Sequence, residues 1–166
     1  MKRHGAFAAL TCLLACSPAL NWRDTALEDL QVQLPCKPDR ASRDLTVGTH
    51  AVTIAMLGCE ADGALFAVGR TQLAHPGDTM AVQGDWQTAT LANMQSQAPQ
   101  ELPAQAPWPG GSAKLLTTHG TGPKPMQARL LWLARGNTIY HLAVYAPQLT
   151  PAMTEPFFAS PRLMAP

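Results

Sequence analysis

Leu30-Gln31-Val32-Gln33-Leu34 alternates apolar and polar residues with a period of two. That places Leu30, Val32 and Leu34 on one face of a half-buried strand. Pro35 ends it, because proline has no amide to give to a ladder. The same alternation predicts strands over 43–47, 50–57 and 64–71. Val52, Ile54 and Met56 share one face of the third strand and Thr53 the other; in the fourth, Leu65, Ala67 and Gly69 oppose Phe66, Val68 and Arg70. Gly48-Thr49 reads as a two-residue hairpin turn with glycine first, and 58–63 as a loop. The first half is therefore a meander of short antiparallel strands. Ahead of it, 21–29 is polar, with Trp22, Ala26 and Asp29/Leu30 at a weak helical spacing, and reads as a tether or a first short helix.

Past His75-Pro76-Gly77 the period changes. Asp78 is a good N-cap, since its carboxylate can accept from free first-turn amides. The stretch 79–97 has no proline, and Val82, Trp86, Ala89 and Asn93 fall on one stripe with Met94 beside it. It predicts a surface helix that packs Val82 and Trp86 on the sheet, weakened at Gly84 by about 0.8–1 kcal/mol relative to alanine. Pro99, Pro103, Pro107, Pro109, Gly110 and Gly111 make 98–111 an extended surface loop. Trp108 lies within it, free either to dock on a partner or to fold back on the domain.

The stretch 114–119 predicts a strand and 120–125 a turn. A hairpin follows over 126–134 and 139–146, with Gly136-Asn137 supplying the positive φ of a tight turn. In its second arm Ile139, His141, Ala143 and Tyr145 face one way, and Tyr140, Leu142, Val144 and Ala146 the other. Both faces are apolar, the mark of central strands with helices over the sheet. Thr150-Pro151 is an N-cap with proline at the first helical position; Pro156 limits that helix, and Phe157, Phe158 and Leu163 plug the core. The fold class is α+β: a twisted, mainly antiparallel sheet flanked by helices.

The chain has 166 residues, enough for one domain. Its charged fraction, 14%, is low for a soluble domain, where about 25% is usual. From Cys16 onward there are 10 Lys+Arg and 11 Asp+Glu, a charge near −1. Without a basic patch to displace counterions, nucleic-acid binding is not expected.

Lys2, Arg3 and His4 precede an uncharged run over 5–15, too short to span a bilayer and fit for a cleaved export signal. Leu13-Leu14-Ala15-Cys16 resembles the bacterial lipobox. The resemblance implies acylation of Cys16, cleavage just before it, and anchoring in the lipid bilayer by two or three acyl chains. Ser17 after the cysteine goes with outer-membrane sorting, facing the periplasm. The alternative is an ordinary signal cut after Ser17-Pro18-Ala19, giving a soluble periplasmic protein. The expected organisation is a signal peptide over 1–15, a tether over 16–29, and one domain over 30–166 that includes the proline-rich loop.

An exported compartment favours oxidation of Cys36 and Cys59 to a disulfide; a free reactive thiol beside Lys37 is the other reading. His50, His75, His119 and His141 are scattered without metal-ligand spacing, so no metal site is expected. No nucleophile elbow, phosphate loop or catalytic constellation is present, so the sequence nominates no catalytic residue and no cofactor.

Val32-Gln33-Leu34-Pro35-Cys36-Lys37-Pro38 resembles the F-x-V-x-F-P-G-K-P opening strand of small bacterial proteins related to PsbP and DcrB. The ending, 137–144 with Phe157-Phe158-Ala159-Ser160 and Arg162-Leu163, is similar to theirs. The chain departs from the pattern at Cys36, where they have glycine, and at Pro161. The chain also looks like proteobacterial lipoproteins that share the cysteine pair. The resemblance implies a PsbP-like α/β sandwich with no transferable active site. Two functions follow as expectations. One is a non-enzymatic envelope lipoprotein that binds an envelope protein partner, with Trp108 in the contact. The other is a small-ligand carrier or enzyme with a cleft beside the sheet near His141 and Tyr145.

Overall fold

The computed structural model describes residues 19–104, 108 and 110–164. The signal segment and Cys16 lie outside the described residues.

Strands β1 (Arg23–Leu27), β2 (Leu30–Leu34) and β10 (Arg162–Leu163) form a small antiparallel sheet in the order β1-β2-β10. The large sheet holds β3 (Asp39–Val47), β4 (His50–Ala61), β5 (Ala64–Gln72), β6 (Ser96–Leu102), β7 (Ser112–Gly120), β8 (Met126–Arg135) and β9 (Thr138–Ala146). Its order is β3-β4-β5-β9-β8-β7-β6, with every pair antiparallel. Helix α1 (Thr79–Asn93) carries the chain from central β5 to far-edge β6, and β7, β8 and β9 return step by step to the centre. Helix α2 (Pro151–Ala159) follows β9. The α+β class read from the sequence is the one observed.

The two faces of the large sheet bury different clusters. Leu57, Phe66, Val68, Leu131, Tyr140, Leu142 and Val144 point at the small sheet and α2, where Leu30, Val32, Leu34, Phe157 and Phe158 meet them. On the opposite face, under α1, Val82 packs with Val47, Val52, Ile54, Leu73 and Ile139. Leu116, Ala128, Leu130, Trp132 and Ala143 form a neighbouring cluster. The alternation of β9 divides as its sequence implies: Tyr140, Leu142, Val144 and Ala146 on one face, Ile139 and Ala143 on the other.

Several expectations are corrected. The stretch expected as a tether or first helix contains β1, paired from Arg23 with Leu34 to Leu27 with Leu30, so the ordered domain begins before residue 30. Strand β4 does not stop at Leu57 but runs to Ala61, and the loop expected over 58–63 shrinks to Asp62-Gly63. Both turn residues have positive φ, 51° and 72°, as the tight hairpin demands. Helix α1 ends at Asn93, short of the 97 expected, and Gln95 and Ala98 take positive φ beyond it. Asp78 occupies the N-cap position but makes no side-chain cap bond. Its carboxylate instead lies 3.9 Å from His50 Nε2.

The start of the proline-rich stretch is strand, not loop. Pro99 falls in edge strand β6 at a register shift between Gln97 and Gln100. A bulge on an edge strand is where a residue without an amide does least harm. Helix α2 begins as read, with Thr150 Oγ1 accepting from the Met153 amide, but continues past Pro156 to Ala159.

Candidate functional site

Helix α1 covers only part of its face of the sheet. Cross-strand register sets Gly58, Ala67 and Ala143 in one row, and Ala41, Met56, Gly69, His141 and Trp132 in the next. The small residues of the first row leave the floor low where the helix does not reach. The result is a groove of about 1150 Å³ between α1 and strands β3, β4, β5 and β9. That is roughly the upper size of small-molecule sites, ≈ 300–1,000 Å³. Met56, Met94, Met126 and Tyr145 add apolar surface to its walls. Asp39, Arg40, Arg43 and Glu60 also line it, two charges of each sign.

Trp86 of α1 forms one wall. Its indole lies over Gly69, where a Cβ would come within 3.2 Å of the ring. A glycine inside a strand often marks such a close approach. Trp86 also meets His141 edge-on, with ring centroids 5.4 Å apart. On its other side the imidazole stacks on Trp132.

His141 Nδ1–H donates to the Leu131 carbonyl, 3.2 Å away. A carbonyl can only accept, so the proton is on Nδ1 and Nε2 keeps its lone pair. Burial lowers the His141 pKa to about 4, against a weaker upward pull from the Leu131 bond. The ring is therefore neutral at physiological pH. Burial likewise pushes the Tyr145 phenol up to about 12, so it stays protonated.

A separate polar cluster lies on the opposite face. Asp29, between β1 and β2, accepts from Arg70 Nε at 2.7 Å and from the Tyr140 hydroxyl at 2.8 Å. Burial acts to raise the Asp29 pKa, but the bonds from Arg70 and Tyr140 and the charge of Arg70 outweigh it and hold it below the ordinary value. Burial and the Asp29 carboxylate both raise the Tyr140 phenol. This cluster ties the small sheet to the large one. All three groups are occupied with each other, which leaves little for a ligand.

Cys36, just after β2, is bonded to Cys59 in β4, with Cα atoms 6.0 Å apart. Their strands belong to different sheets, so the bond crosses the sandwich rather than joining neighbours. Trp108 turns inward. Its Nε1–H donates to the Ala134 carbonyl at 3.0 Å, and its ring meets Tyr140 edge-on at 5.4 Å. Of the two readings of Trp108, folding back is the geometry found. The described histidines do not converge, and no group of three or more His, Cys, Asp and Glu able to hold a metal occurs among the described residues.

The sequence placed Trp86 on the sheet and grouped His141 with Ile139, Ala143 and Tyr145 on one face of its strand, but did not show Gly58, Ala67, Gly69 and Ala143 as a floor. The available signal was glycine in strand interiors. Gly58 was lost to the expected loop, and Gly69 stood as one more alternating position.

The site and fold together define a two-sheet α+β domain with an apolar groove beneath one helix. No protein-family model matches the chain, and no curated protein matches it significantly.

Proposed function

We propose that the protein is a non-enzymatic bacterial envelope lipoprotein whose domain carries a small apolar ligand in the groove beneath α1. In this reading acylated Cys16 holds it in the outer membrane, facing the periplasm, and the domain is a PsbP-like α/β sandwich. The anchor rests on the lipobox resemblance at 13–16. The finer fold assignment rests on the opening and closing motifs, and a helix on each face of an antiparallel sheet agrees with it. The observation that carries the ligand reading is the groove itself: large, apolar and floored by Gly58, Ala67, Gly69 and Ala143. An apolar concavity with few polar groups is the usual form of a small-molecule site. Docking of a protein partner through Trp108 has less support, since that ring is engaged by Ala134 and Tyr140.

The test uses diphenylhexatriene, a hydrocarbon dye that fluoresces when taken out of water. The purified protein should enhance its emission saturably. Ala67→Trp, which fills the middle of the floor, should abolish the enhancement while the protein melts cooperatively. No enhancement by the wild type, or equal enhancement by the variant, would overturn the ligand reading.

A further inference from the structure

We infer that the groove selects uncharged amphiphiles carrying one hydrogen-bond donor, a hydroxyl or an amide N–H, and that His141 Nε2 accepts that donor. The inference rests on the ligand reading above and names the chemistry that the groove prefers.

His141 is only 8% exposed, yet it lines the groove. Its Nδ1 is committed to Leu131, and Nε2 has no hydrogen-bond partner among the described residues. Nε2 is not fully buried, so a ligand in the groove can reach it. Trp132 and Trp86 clasp the ring from two directions, so the acceptor is fixed before a ligand arrives. Burial keeps the imidazole neutral, so it offers a lone pair and no positive charge. An anionic head placed against it would be desolvated with nothing to compensate. The charged lining residues offset one another, with Asp39 and Glu60 against Arg40 and Arg43, and give no net preference for an anion.

The length of the floor agrees with an amphiphile. His141 and Tyr145 point to the same face of β9, four residues apart, which is about 13 Å of strand. Between them lies Ala143, opposite Ala67. A flexible alkyl chain can lie along this floor with its donor at His141 and its tail toward Tyr145.

The experiment displaces diphenylhexatriene from the full exported protein with dodecanol, dodecyl methyl ether and dodecanoate at pH 7.5. The alcohol and the ether share a tail, and only the alcohol can donate. Dodecanol should displace the dye about three- to tenfold more effectively than the ether, the range one net hydrogen bond supplies. Dodecanoate should be weaker than dodecanol. In His141→Phe, which keeps a flat ring between the tryptophans, the preference for the alcohol over the ether should be lost. If alcohol and ether displace equally from the wild type, the donor inference is wrong and the groove reading stands. A carboxylate that outcompetes the alcohol would overturn the preference for uncharged ligands. If the dye never binds, both readings fall together.

Discussion

His141 lies flat on Trp132, with ring centroids 4.3 Å apart and planes 15° from parallel. The stack buries a titratable ring among apolar neighbours and lowers its pKa to about 4. In an unfolded chain histidine titrates near 6.5. Between those values the unfolded state binds more protons than the folded one, so stability is full above about pH 6.5 and falls as the pH drops toward 4. We expect the unfolding free energy to decrease by about 3 kcal/mol across that window from this group alone. Urea melts at pH 7 and pH 4.5 should show the loss, and His141→Phe should remove most of it. An equally steep pH dependence in the variant would assign the effect to other groups.

The Cys36–Cys59 bond closes a span of 23 residues between the two sheets. In the chain-entropy account, a loop of this size contributes about 3 kcal/mol. Changing both cysteines to alanine should lower stability by about that much in denaturant melts. A change below about 0.5 kcal/mol would mean that the sandwich holds itself without the bond.

Removing the Trp108 ring takes away a hydrogen bond to Ala134 and an edge-on contact with Tyr140. Trp108→Ala should destabilise the fold by about 2 kcal/mol, toward the lower end for loss of a large aromatic because the ring is only partly buried. Diphenylhexatriene binding should be unchanged, because Tyr140 and the groove lie on opposite faces of β9. Lost dye binding with unchanged melting would place Trp108 in the ligand site.

Mass spectrometry of the protein from native membranes tests the anchor. The expected mass corresponds to cleavage before Cys16 plus acyl chains, and reduction should add the two hydrogens of one opened disulfide. A mass fitting cleavage after Ala19 without lipid would make the protein a soluble periplasmic carrier.

Local chemistry made much of the fold legible. The β8–β9 hairpin is announced by Gly136-Asn137, and α2 by Thr150-Pro151, because turn and cap preferences act over a few residues. β1 was hidden for the opposite reason: Arg23-Asp24-Thr25 leave its first half exposed or half-buried, so no alternation marks it. The end of α1 was overrun because Gln95 and Ala98 adopt positive φ without being glycine. Pro99 concealed β6, since a bulge on an edge tolerates what a central strand does not. The groove was the least legible part. Strand parity groups His141 with Ile139, Ala143 and Tyr145, but which face a helix covers, and how far it reaches across the sheet, depends on contacts such as Trp86 over Gly69, between residues far apart in the chain.

The path of α1 also sets an order of assembly. Pairing of β3, β4 and β5 is local, and both cysteines precede β5 in the chain. β5 nevertheless keeps one open edge until β9 arrives, after the chain has laid down α1 and three more strands. Joining Leu65 to Tyr145 closes the longest span in the large sheet, the kind of non-local contact that forms slowly. The same junction brings Ala67 beside Ala143 and Gly69 beside His141. A chain halted before that step can have its disulfide and most of its strands and still lack the groove, so under the proposed carrier function uptake of a ligand would report that folding is complete.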